Sequence, residues 1–107
     1  MQKIYISGPM TGYPDFNRPM FKEAEKWCRK NNYSPFNPGW LLFGEEDTFS
    51  YDEIMEIDLC ALSKCEVILM LPGYEKSNGA CIELSLAKEL GLSIIYYEDY
   101  VRKELVV

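Results

Sequence analysis

Two carboxylates stand where a helical pattern would bury them. Glu83 ends the stretch Pro72-Gly73-Tyr74-Glu75-Lys76-Ser77-Asn78-Gly79-Ala80-Cys81-Ile82-Glu83, which follows the apolar run Glu66-Val67-Ile68-Leu69-Met70-Leu71 and reads as loop, then helix. At about 100° per residue, Glu83 falls between Ala87 and Leu90, in the arc that holds Ala80, Leu84 and Leu86, with Ser85, Lys88 and Glu89 opposite. Asp58 repeats the pattern upstream. The capping box Ser50-Tyr51-Asp52-Glu53 opens a helix expected to run to about Ser63, and Asp58 lies between Ile54 and Leu62 on a face shared with Ile57 and Ala61. A carboxylate on an apolar face is costly to desolvate unless it has partners or a task. Either it is an edge-of-core acid bonded to nearby backbone, or it works in a site; two of them in one small domain favour the second.

The chemistry open to such a pair is narrowed by what the chain lacks. It contains no histidine, which excludes Ser-His-Asp and Cys-His catalysis and most zinc sites, so acid–base work falls to carboxylates, tyrosines or lysines. Ser77 is an expected N-cap. With Gly79 behind it, the first-turn amides of the helix carrying Glu83 can approach an anion of phosphate size.

These residues must be held by an alternation of strands and helices. Lys3-Ile4-Tyr5-Ile6 reads as a first strand, followed by the turn-rich Ser7-Gly8-Pro9-Met10-Thr11-Gly12. A helix from Pro19 to Lys30, capped by Asp15 or Asn17, packs by Phe21, Ala24 and Cys28 with Trp27 beside them, and Asn31-Asn32 stops it. Tyr33-Ser34-Pro35-Phe36 is a second strand whose proline suits only an edge. Glu66 to Leu71 and Leu92 to Tyr97 supply the third and fourth strands, and Gly91 caps the helix between them; Glu98 to Val107 is open between a short helix and an arm. The expected fold is α/β, a single three-layer domain over 1–107 with a parallel four-stranded sheet in the order 2-1-3-4, flavodoxin- or Rossmann-like. That order makes a switch point between the first and third strands, where such sheets bind ligands, within reach of Tyr5, Asp58 and Glu83. The stretch from Trp40 to Phe49, apolar at both ends, reads as a lid, a subunit contact or plain core.

Composition bounds the partners. A chain of 107 residues buries roughly two-thirds of its unfolded surface and folds without a staple. The net charge of -6 argues against a nucleic-acid partner, since affinity there comes from clustered Lys and Arg. No apolar run approaches the roughly 20 residues of a membrane span, and no signal peptide precedes the first strand, so a soluble cytoplasmic protein is expected. Cys28, Cys60, Cys65 and Cys81 show no zinc or CxxC spacing and read as reduced, mostly buried thiols; Cys81 is read as packing and Arg18 as exposed. No metal or cofactor is expected.

Ile4-Tyr5-Ile6-Ser7-Gly8-Pro9, Asp58-Leu59 with Cys65-Glu66-Val67-Ile68, and Ser77-Asn78-Gly79-Ala80-Cys81-Ile82-Glu83 together resemble the nucleoside 2-deoxyribosyltransferase-like superfamily, most closely its small DUF4406 branch, common in phages and bacteria. The resemblance implies that Glu83 is a nucleophile attacking the anomeric carbon of a (deoxy)nucleoside or its 5′-monophosphate, that Tyr5 orients it, and that Asp58 handles the leaving base. It further implies that Ser7, Gly8 and Pro9, with Ser77, Asn78 and Gly79, hold the sugar or 5′-phosphate, and that the chain forms a dimer or higher homo-oligomer. Transferases of the superfamily place a further aspartate before the catalytic helix; here the sequence reads Tyr74-Glu75-Lys76-Ser77, which fits a phosphate better than a free ribose hydroxyl. The expected function is therefore a nucleotide N-glycosidase or deoxyribosyltransferase, with a non-catalytic module binding a nucleotide or NAD-derived signal as the alternative. A TIR-like NAD glycohydrolase ranks third, because Cys81 precedes Glu83 by two residues, whereas the TIR signature has three.

Overall fold

The computed structural model describes residues 1–39 and 50–100. Four parallel strands, β1 (Gln2–Ser7), β2 (Tyr33–Phe36), β3 (Val67–Met70) and β4 (Ser93–Tyr96), lie in the order β2-β1-β3-β4. The helices are α1 (Arg18–Lys30), α2 (Tyr51–Ser63) and α3 (Asn78–Leu90). Both the topology and the edge position of β2 agree with the sequence expectation. Pro35, which has no N–H to give a further neighbour, pairs with Ile4 on the strand's only partnered side.

Side-chain alternation along the strands divides the core. Ile4 and Ile6 of β1, with Val67, Leu69 and Ile95, face α1 and pack on Phe21, Ala24, Trp27 and Cys28. Tyr5, Ile68 and Met70 point the other way, onto Leu62 of α2 and Ala80 and Ala87 of α3. Ser7 continues the Tyr5 register, so the end of β1 delivers a hydroxyl to the α2–α3 side. At that end Gly8 lets two strands close: a Cβ there would stand 2.7 Å from Leu71 Cβ, while the Leu71 N–H donates to the Ser7 carbonyl at 2.8 Å.

Helix ends follow sequence chemistry in two cases of three. The Ser50–Glu53 capping box closes in both directions, and the Ser77 hydroxyl accepts from the Ala80 N–H while Gly91 takes the left-handed conformation at φ 77°. The start of α1 departs from expectation. Asp15, Phe16 and Asn17 are all left-handed, and neither polar side chain caps the helix. The Asn17 amide instead donates to the Pro9 carbonyl at 2.9 Å, and Asp15 pairs with Arg18 at 2.9 Å. Arg18, expected exposed, is thereby half-buried, its guanidinium 5.6 Å from the Phe16 ring.

Other burial expectations need correction. Ile54, Ile57 and Ala61 are half-buried where a buried face was expected, and Leu90 is exposed. On α3 the small Ala80 and Ala87 bring the helix close to the sheet along a narrow stripe that contains Glu83. Cys28 is buried, but Cys60 and Cys81 are exposed. Cys81 therefore does not pack in the core; its Sγ lies 3.6 Å from the Tyr74 carbonyl at the surface. Residues 97–100 are helical; the rest of the open C-terminal segment lies outside the described residues. The Trp40 to Phe49 stretch lies outside the described residues.

Candidate active site

The site forms at the carboxyl ends of β1 and β3, where the loops diverge. Tyr5 and Ser7, two apart on β1, present hydroxyls on one face of the sheet, and α3 lays Glu83 across them. The Tyr5 hydroxyl donates to Glu83 Oε2, and the Ser7 hydroxyl donates to Oε1 at 2.6 Å. All three are buried, Tyr5 and Ser7 completely and Glu83 with 6% exposure. Phe36, the register partner of Tyr5 on β2, stacks on its ring with centroids 5.5 Å apart and fixes it from the other side. Glu83 is thus an acceptor with one donor on each oxygen, held by rigid elements rather than by a loop.

Asp58 reaches the same place from α2. It is 7% exposed, and its Oδ1 is buried without a hydrogen-bond partner among the described residues. Native structures rarely leave a buried carboxylate oxygen unsatisfied. Burial first, and then the neighbouring charge of Glu83, push the Asp58 carboxyl up to about 7. Burial also raises Glu83 from its ordinary value, against the hydrogen bonds from Ser7 and then Tyr5, which pull it down. Tyr5 is pushed well above the usual phenol range, by burial and then by Glu83 and Asp58, so it stays a donor. The arrangement holds Glu83, oriented by two donors, beside an Asp58 carboxyl poised near neutral pH to give or take a proton, a pairing suited to separating acid and nucleophile in one site.

A cavity of about 300 Å³ opens over the two acids. Its wall includes Gly8, Ser77 and Gly79, three of the residues singled out from the sequence; Tyr5 and Ser7 lie beneath, against Glu83. Asn78, exposed at the first position of α3, and Pro9, whose carbonyl serves Asn17, are not part of the wall. Met10, Phe16, Ile54 and Met55 also line it and were not among the site residues expected from the sequence, where Ile54 is read as core. Ile54 and Met55 stand four and three residues before Asp58, so helical spacing from that acid would have found them. Phe16 arrives through the left-handed turn, for which the sequence gives no pattern.

The profile of a family described as a domain of unknown function (DUF4406) matches residues 2–96. The chain belongs to the DUF4406 family. No curated protein matches this DUF4406 chain. Two solved structures share its fold. A 2-deoxyribosyltransferase from Bacillus psychrosaccharolyticus is 19% identical, with a TM-score of 0.70 over 88% of this chain and 70% of its own. A 2-deoxyribosyltransferase from Leishmania mexicana is 20% identical, also at 0.70, over 91% of this chain and 64% of its own. The DUF4406 chain therefore spans about two-thirds of the length of these structures, and at such identities the likeness is one of fold.

Proposed function

We propose that this DUF4406 protein cleaves the N-glycosidic bond of a (deoxy)nucleoside 5′-monophosphate, as an N-glycosidase or a deoxyribosyltransferase, through a glycosyl ester on Glu83. The observation that carries the reading is the Glu83 carboxylate, clamped by Tyr5 and Ser7 beside a buried and unpartnered Asp58. A Glu83 oxygen bonds to C1′ as the C1′–N bond breaks, and the departing base takes its proton from Asp58. Water or a second base then resolves the ester, with net retention. Tyr5 and Ser7 hold the nucleophile in line and balance its charge. The Ala80 and Cys81 amides are taken by Ser77, but those of Asn78 and Gly79 at the start of α3 have no acceptor within the helix; with Ser77 and Gly79 in the cavity wall, this is the place the reading gives to a 5′-phosphate. The fold shared with 2-deoxyribosyltransferases supports the reading.

A second reading, a binding module for a nucleotide or NAD-derived signal, is favoured by the missing aspartate in Tyr74-Glu75-Lys76-Ser77. Chromatography of ribo- and deoxyribonucleoside 5′-monophosphates and NAD, incubated with the natural protein or Glu83→Ala, separates the two. Free base from the natural protein alone supports the enzyme; a nucleotide-dependent thermal shift with no base released supports the module. The same reading includes a homo-oligomer. Sedimentation velocity then gives at least twice the 12.4 kDa chain mass, and a monomer removes that part.

A further inference from the structure

The cavity has an unbalanced charge that the proposed reaction does not by itself explain. Its only ionisable wall groups are Asp58 and Glu83, both over nine-tenths buried, and among the described residues no lysine or arginine joins them. Glu83 has two neutral donors, but the buried Oδ1 of Asp58 has none. Arg18 lies over the wall residue Phe16, 5.6 Å from its ring centroid, and is engaged by Asp15. The wall also carries Met10, Met55 and the Phe16 ring, which are polarisable and apolar, and its other polar side chains, Thr11 and Ser77, are neutral. Acids without a counter-cation, walled by thioethers and an aromatic face, form a surrounding that favours a delocalised cation over a neutral ring.

We infer that the site takes N-glycosides whose base is a positively charged heteroaromatic ring, an N-ribosylpyridinium, with the cationic ring beside the Asp58 carboxylate and the C1′ carbon against Glu83. The inference rests on the glycosidic reading above and names its substrate class. It also changes the task of Asp58. When the C1′–N bond of a neutral base breaks, the nitrogen must be protonated. From a pyridinium the bonding pair returns to the ring nitrogen, cancels its positive charge, and the base leaves neutral with no proton supplied. Asp58 then acts ionised, first as the counter-charge of the ring. It next takes the proton of the water that adds at C1′ while the pair of the C1′–O bond returns to Glu83. Among the described residues, the titratable groups that face Asp58 are Glu83 from α3 and Tyr5 from β1, so its ionisation near neutral pH is opposed by the first and not assisted by any base.

The test uses the full chain carrying Glu83→Gln, which cannot turn over, and two ligands of nearly one shape: N-ribosylnicotinamide, which is charged, and its neutral 1,4-dihydro form. Calorimetry at pH 8 is expected to give about tenfold tighter binding of the cation. The preference is expected to vanish in Glu83→Gln/Asp58→Asn, a double change that removes buried charge and so does not threaten folding. Equal affinity for the two ligands, or a preference that survives loss of Asp58, overturns the inference. Base release is measured separately with the natural protein. Glu83-dependent release from neutral-base monophosphates without any cation preference overturns the inference and leaves the glycosidic reading. A cation preference without release of any base does the reverse.

Discussion

Glu83 carries opposing influences that can be separated one residue at a time. Burial raises its pKa, and the hydroxyls of Ser7 and Tyr5 lower it. Removing either donor, by Ser7→Ala or Tyr5→Phe, should therefore move the Glu83 titration further up, readable as the side-chain carboxyl carbon signal against pH; an unmoved signal would show that the hydroxyls do not stabilise the ionised form. A hydrogen bond to a charged group is worth about 1.5–3 kcal/mol, so either change should slow base release by roughly tenfold to a hundredfold, while Glu83→Gln abolishes it. If Asp58 delivers a proton to a neutral leaving base, kcat/KM for such substrates declines above about pH 7, where that carboxyl ionises. In Asp58→Asn that alkaline limb disappears along with most of the rate. A limb that persists in Asp58→Asn assigns the titration to another group.

At the scale of elements, the site depends on how closely β1, β3 and α3 approach. Gly8 marks the closest point: a methyl placed there meets Leu71 Cβ at 2.7 Å, and neither backbone is free to move without loosening the strand pairing that aligns Ser7 with Met70. Gly8→Ala should cost about 1–3 kcal/mol of stability by overpacking, seen as a lowered urea midpoint; a midpoint within error of the natural protein would mean the loops adjust without cost. Ser50→Ala removes one half of the capping box at the start of α2 and should cost about 1 kcal/mol, with base release changed little because Asp58 lies two turns further on. The two helix starts at Ser50 and Ser77 were legible because a cap is a local bargain between one side chain and the amides three residues on. The start of α1 was not. Asn17 and Asp15 have the chemistry of caps, but the Pro9 carbonyl and the Arg18 guanidinium compete for them, and both competitors are brought near only by the folded loop.

For the whole molecule, the buried acid pair is a stability cost that depends on pH. The Asp58 carboxyl titrates near 7 in the fold and near 3.8 when free, so the folded state holds the extra proton between those values. Its stability is therefore greatest at the acid end of that window and falls as pH rises through it. Allowing for solvent screening at the cavity mouth, the loss is roughly 2 kcal/mol. Urea unfolding at pH 5 and pH 8 should show Asp58→Asn gaining on the natural protein at the higher pH; equal differences at both would mean Asp58 is not strained in the fold. No helix among the described residues is long and apolar enough to cross a membrane. The sequence by itself determined the order of the elements, the edge position of β2 from Pro35, and the two acids that stand on apolar helical faces, because strand alternation, helical spacing and proline's missing N–H act over a few residues. Only the tertiary structure decided that Tyr5 and Ser7 divide the two oxygens of Glu83 between them and that Asp58 Oδ1 lacks a hydrogen-bond partner among the described residues. It alone brought Phe16 into the cavity wall. Those facts depend on contacts between residues up to 78 apart in the chain, where distance in sequence carries no information until the strands have paired.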